Sequence, residues 1–213
     1  MKDMEKAYIN NLISDTENSI KFFSKSMGPE RERGVCAAFL WCLGIDFSVN
    51  DIIAQKDDPP DVIFGPAKFE ITELYKEGRR RHDEYKDRLD ELKQANSMDD
   101  TLIPIKWPVP ISYKEIFSGL ESALSSKARE YGKKLCSSLD ALVYISLPQR
   151  FLDINSDLPK FDKIMAQGWR SVSFVIPPYS HVAYSMEASP GFLSELSGKT
   201  KMKWKDPDTF FEL

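Results

Sequence analysis

The stretch PPDVIFGPAKFEIT, residues 59–72, decides how this chain is read. Two short β-prone runs, VIF and KFEIT, flank Gly65-Pro66, the turn signal between them. Gly accepts the positive φ of the first central position of a type II′ turn, and Pro fits the second. With a two-residue loop, Phe64 faces Ala67, Ile63 faces Lys68, Val62 faces Phe69 and Asp61 faces Glu70. Alternation then puts Val62, Phe64, Phe69 and Ile71 on one apolar face, the expected core face. The opposite face carries Asp61, Ile63, Lys68, Glu70 and Thr72. Facing carboxylates on paired strands sit with Cβ atoms about 4.5–5.5 Å apart and repel. Two readings stay open on spacing alone. The acids are solvated or paired with Lys68 and nearby arginines, or they share a cation such as Mg²⁺, which accepts a couple of carboxylates.

Working outward, residues from about Met4 to Met27 have the spacing of an amphipathic helix that Gly28-Pro29 breaks. Pro29 to about Leu43 reads as a second helix, nearly all apolar after Gly34 and therefore buried. NDIIAQKDD reads as a polar link into the hairpin. The segment from Lys76 to about Gln94 is charged and helical in spacing, and residues 95–111 form a long Pro-bearing loop. A helix from Tyr113 to about Cys136 precedes LDALVYISLP, the clearest buried strand. A short helix near 160–167, the strand SVSFVI, an edge strand HVAYS and a terminal helix near 191–196 complete the chain. This order predicts an α/β fold, one mixed β-sheet flanked by helices. The expected organisation is a single domain over 1–213, with residues 1–27 as an N-terminal helical extension packed on its core.

At 213 residues the chain is long enough to bury a sizeable core. The start MKDMEKAYIN is acidic and amphipathic, not a basic region followed by an apolar one, so no secretion signal is expected. The run VCAAFLWCLGI is too short to span a bilayer. The expected setting is the cytoplasm, away from membranes. Cys36, Cys42 and Cys136 lack CxxC spacing and read as buried hydrophobes. His82 and His181 read as surface or capping residues. A net charge of -4 gives no global basic field for nucleic acid, which leaves only a locally basic face.

The order Pro-Pro-Asp, strand, FEIT resembles the PD-(D/E)xK motif of the restriction-endonuclease-like fold. ERERGVCAAFL, PPDVIFGPAKFE, EGRRRHDEYK, LDALVYISL and GWRSVSFV, taken in that order from Glu30 to Val175, resemble an uncharacterised bacterial family catalogued as endonucleases. That family's assigned activity is itself inferred from fold. The resemblance implies a three-layer restriction-endonuclease-like core and metal-dependent hydrolysis of nucleic-acid phosphodiesters, DNA foremost. It implies Mg²⁺ or Mn²⁺ held by Asp61 and Glu70, with Glu32 as a third acid. The alternative for Glu32 is a helix N-terminal acid favoured by the dipole.

The motif places lysine two residues after its second acid, and this chain has Thr72 there. Lys68 lies on the same strand face, on the other side of Glu70, and Lys76 lies beyond the strand. The catalytic candidates are therefore Asp61, Glu70, Lys68 and Thr72. Arg79, Arg80 and Arg81 are candidate phosphate contacts, in a helix whose four-residue acid–base spacing also marks a solvated face. Lys127, Arg129, Lys133 and Lys134 form a second basic patch, equally compatible with nucleic acid and with solubility. Thr72 and the acidic net charge favour an alternative reading. In it the chain is a catalytically silent nuclease-fold module that binds nucleic acid or protein. Oligomeric state is not legible.

Overall fold

The computed structural model describes residues 2–75, 81–104 and 106–204. In chain order the elements are α1 (Lys2–Phe22), α2 (Gly28–Leu43), β1 (Ile52–Ala54), β2 (Val62–Phe64), β3 (Ala67–Tyr75) and α3 (Arg81–Gln94). They continue with β4 (Val109–Ile111), α4 (Tyr113–Cys136), β5 (Asp140–Ser146), β6 (Arg150–Leu152) and α5 (Asp162–Met165). The last are β7 (Ser171–Ile176), β8 (Tyr179–Ser185), α6 (Gly191–Glu195) and β9 (Lys199–Met202). These elements form two compact units, Met1–Gly28 with Glu77–Trp107, and Pro29–Lys76 with Pro108–Leu213.

The first unit is helical. Its α1 packs on α3, and the rings of Phe23 and Tyr85 stack with centroids 5.3 Å apart. Lys93 reaches Glu17 at 3.3 Å.

The second unit carries a seven-stranded mixed sheet of order β1-β2-β3-β5-β7-β8-β9. The hairpin has the register that its two-residue turn dictates: Phe64 opposite Ala67, Ile63 opposite Lys68 and Val62 opposite Phe69. Gly65 takes φ 52°, the positive value the turn demands. Strands β3, β5 and β7 run parallel. On one face, Cys36, Phe39 and Leu40 of α2 pack with Val62, Phe69, Leu142 and Val175. On the other, Ile116, Leu120 and Leu124 of α4 pack with Ala141, Val143, Val172 and Phe174. The three layers explain why β5 and β7 carry buried apolar residues on both faces.

Some expectations give way. HVAYS lies inside the sheet rather than at its edge, because the short β9 pairs outside β8. The polar link before the hairpin contains β1, which pairs with β2. His181 is buried, its ring among those of Tyr113, Phe117 and Phe174. Its Nδ1 lies 2.9 Å from Thr200 Oγ1, and burial pushes its pKa down to about 4. All three cysteines are free and buried. Among the described residues, no helix is long and apolar enough to cross a membrane.

Candidate metal centre

Glu70 is a carboxylate with no exposed surface. On β3 its neighbour Phe69 faces α2, so alternation turns Glu70 to the other side of the sheet. A hairpin alone would leave that side in water, but here α4 packs on β3. Crossing is close where Leu74 meets α4: a Cβ at Gly119 would stand 2.5 Å from Leu74 Cδ2. Lys127 and Tyr131, four residues apart on α4, share one helix face and both reach Glu70.

The contacts are specific. Lys127 Nζ donates to Glu70 Oε1 and, at 3.1 Å, to the carbonyl of Ile71. Tyr131 Oη lies 3.0 Å from Glu70 Oε1 and 3.2 Å from Asp58 Oδ1. Asp61 accepts the backbone N–H of Ile71 at 2.6 Å, which ties the acid preceding β2 to β3. One carboxylate oxygen each from Asp58, Asp61 and Glu70 converges to within 4.8 Å of the others. Glu70 Oε2 is buried and has no hydrogen-bond partner.

Electrostatics set the demand on this cluster. Burying an ionised carboxylate costs several kcal/mol, about the same order for each ion unless it is paired. The cluster holds three acids and one ammonium. Desolvation pushes the Glu70 carboxyl up, Lys127 partly offsets this, and Asp61 and Asp58 push it further. Desolvation likewise raises Asp61 against the Ile71 N–H and Lys127. Glu32 is pushed up to about 7, first by burial and then by Asp61, with Arg31 and Lys127 pulling the other way.

The residues fit a hard cation. Oxygens are the donors Mg²⁺ and Mn²⁺ prefer. At a bond length near 2.1 Å, two oxygens on one Mg²⁺ stand at most about 4.2 Å apart. The three carboxylates already lie close to that span. The unpartnered Oε2 is an acceptor that such an ion would satisfy.

The sequence-predicted residues are sorted by this geometry. Asp61 and Glu70 come together. Glu32, half-buried on α2, is outside the converging trio but feels the charges of Asp61 and Glu70. Lys68 is exposed, and it is its backbone N–H that is engaged, donated to Asp140 Oδ2 at 3.0 Å. Thr72 is half-buried, with an Oγ1 that lacks a hydrogen-bond partner. Arg79 and Arg80 lie outside the described residues. Arg81 belongs to the helical unit, its guanidinium 4.4 Å over the Phe23 ring. Arg129, Lys133 and Lys134 are exposed on α4, the two lysines beyond the break at Gly132.

Lys127 is not simply a surface cation, since it is turned in to Glu70. Its position carried a signal: it continues the helical stripe of Ile116, Leu120 and Leu124 at i+3 from the last. Tyr131 continues the same stripe. Asp58 sits in an aperiodic loop and had none.

A family model described as "Putative endonuclease, protein of unknown function (DUF1780)" matches residues 4–206. The chain is also similar to a solved structure of a protein of unknown function from Pseudomonas aeruginosa strain PAO1, described with the words Monooxygenase Superfamily. Identity is 26%, the TM-score is 0.66, and the similarity covers 94% of this chain and 97% of that one. No curated protein matches the chain.

Proposed function

The chain belongs to the DUF1780 family, and from that premise we propose that it is a metal-dependent endonuclease of restriction-endonuclease-like fold, hydrolysing phosphodiester bonds of nucleic acid, DNA foremost, in the cytoplasm. One observation supports the reading: a lysine from α4 reaches the motif's second acid, and in this reading it stands in for the lysine absent at Thr72. Lys127 Nζ stands at Glu70 and at the Ile71 carbonyl. A carboxylate pair and a lysine therefore meet, although β3 alone does not provide them.

Asp61 and Glu70 would hold Mg²⁺ or Mn²⁺. Such a cation polarises a phosphodiester and lowers the pKa of water for attack. Lys127 orients Glu70 and offers N–H donors toward the developing charge at phosphorus. Glu32, held above the ordinary carboxylate range by burial and by Asp61, is the candidate near the cluster for exchanging a proton. The exposed Arg129, Lys133 and Lys134 supply phosphate contacts that position a strand without reading its sequence. The carboxylates are groups that hold a hard cation, and the lysine and tyrosine beside them are proton donors. That favours hydrolysis over the oxygenation suggested by the words attached to the Pseudomonas protein.

Thr72 is the observation that favours a second reading, a silent nuclease fold that binds nucleic acid without cutting it. Thermal unfolding with and without Mn²⁺, followed by plasmid and oligonucleotide cleavage, separates the two. The expected result is a metal-dependent rise in stability, about 2.7 kcal/mol at a hundredfold excess over the dissociation constant. That rise disappears in Asp61→Asn and Glu70→Gln, and cleavage disappears with it. A rise without cleavage supports the silent module. Unaltered Mn²⁺ binding in both variants means the centre is misassigned.

A further inference from the structure

Asp58 precedes the hairpin and belongs to no strand or helix. It is exposed, yet its carboxylate is one of the three that converge. What brings a loop carboxylate to a buried one is Tyr131. Its phenol oxygen stands between Asp58 Oδ1 and Glu70 Oε1, at 3.2 and 3.0 Å. Nothing else in the cluster links the loop acid to Glu70, since Lys127 engages Glu70 and Ile71 and Asp61 is held by the Ile71 N–H.

The phenol has one proton to give, so it donates to one carboxylate at a time. Two carboxylates that share one donor are held close while still short of positive charge. The buried Glu70 Oε2, without a partner, points to the same shortage. The ring is itself held in place: Tyr131 packs edge-on against Trp169, centroids 6.2 Å apart. Immediately after it, Gly132 leaves the helical conformation at φ 70°. The helix therefore ends its regular run at the residue that spans the two acids.

We propose that Asp58 is a third ligand of the cation and that Tyr131 is a positioning residue that acts on the cation through Asp58. This rests on the metal-dependent reading given above and goes beyond it, because that reading needs only Asp61 and Glu70. Tyr131 does not touch the ion. It removes the freedom of a loop carboxylate before the ion arrives, and a ligand ordered in advance costs less to order on binding.

Calorimetric titration of the full-length protein with Mn²⁺ tests this, using wild type, Tyr131→Phe, Asp58→Asn and the double variant. Phenylalanine keeps the ring against Trp169, and Asp58 is exposed, so each variant is expected to fold. Unfolding without metal checks that. Loss of a residue that orients a metal ligand typically weakens affinity by about 10–100-fold, and Tyr131→Phe is expected in that range. Asp58→Asn weakens binding at least as much. The double variant is expected to lose less than the product of the two single losses, because most of what Tyr131 does passes through Asp58 and only its contact with Glu70 remains. Wild-type affinity in Tyr131→Phe overturns the proposal, as does a double variant in which the two losses multiply. A Tyr131→Phe that only loses metal-free stability overturns it too. Failure of the wild type to bind Mn²⁺ overturns the metal centre itself, which none of the preceding outcomes does.

Discussion

Glu70 and Asp140 lie on adjacent parallel strands, each without exposed surface, and the fold treats them in opposite ways. Asp140 Oδ1 accepts Arg170 Nε at 3.0 Å and the Ser171 hydroxyl at 2.8 Å. Its Oδ2 accepts the second Arg170 nitrogen and the Lys68 N–H. The fork of a guanidinium matched to both oxygens is the strong form of such a pair. Every acceptor is used, and the group binds the start of β5 to β7 and to the hairpin. Glu70 has an ammonium and a shared phenol on one oxygen and nothing on the other. A buried carboxylate whose partners are complete holds a structure together. One that is left short of positive charge keeps an acceptor that a cation would satisfy.

The largest effect that would sharpen this contrast is in stability. Arg170→Ala leaves Asp140 charged, buried and without its cation, and should cost about 3–5 kcal/mol in urea unfolding. Its Mn²⁺-dependent rise in stability should match wild type. Glu70→Gln should cost less than about 1 kcal/mol, because it removes an oxygen the fold never satisfied and Lys127 can turn to water. The Mn²⁺-dependent rise should vanish. If the two variants destabilise equally, the distinction between a closed and an open carboxylate fails.

Next in size is activity. Lys127→Ala should lower cleavage on the order of 10²-fold and should also cost stability, since it leaves the buried Glu70 without its ammonium. Restoring a lysine on β3 with Thr72→Lys in that background should recover part of the loss, because Thr72 shares its strand face with Glu70. Thr72→Lys in the wild-type background should add little. A rescue that fails would mean that α4 supplies something other than the ammonium.

The same contrast marks what a sequence can reveal. The hairpin register was legible because a two-residue turn and strict alternation are local, and every facing pair from Val62 to Phe69 follows from them. That Glu70 is buried was not legible from the hairpin, because the roof over it is α4, with Lys127 57 residues further along. The helical stripe on α4 does place Lys127 and Tyr131 facing inward, but charge and hydroxyl suggest a surface. The three-residue β1 and the lysine-rich β9 carry too few apolar positions to show a period. The buried His181 escaped for the same reason as Glu70: its aromatic surroundings are assembled from α4 and β7. Asp58 is placed by a tyrosine on another element, and nothing in its own neighbourhood announces it.

The smallest effect is the pH dependence that the open cluster should carry. Glu32 is raised from the ordinary 4.5 to about 7. Between those values the unfolded chain has released the proton and the folded chain retains it, so this group's contribution to stability falls as pH rises through the window. His181 works against it. With its pKa pushed down to about 4, the folded chain binds fewer protons than the unfolded one below the ordinary 6.5, and stability rises with pH there. The two slopes oppose each other over much of the same range, so wild type alone would mislead. The difference between wild type and Glu32→Gln removes the share of His181, which is common to both. That difference should favour wild type most below pH 4.5 and decline from there toward pH 7. If the cluster binds metal, Mn²⁺ should reverse the trend for wild type, because the ion would take ionised carboxylates and its stabilising increment would grow as the acids lose their protons. A wild-type advantage that instead grows with pH in the absence of metal would mean that Glu32 is already matched by positive charge, as Asp140 is, and that the cluster is closed.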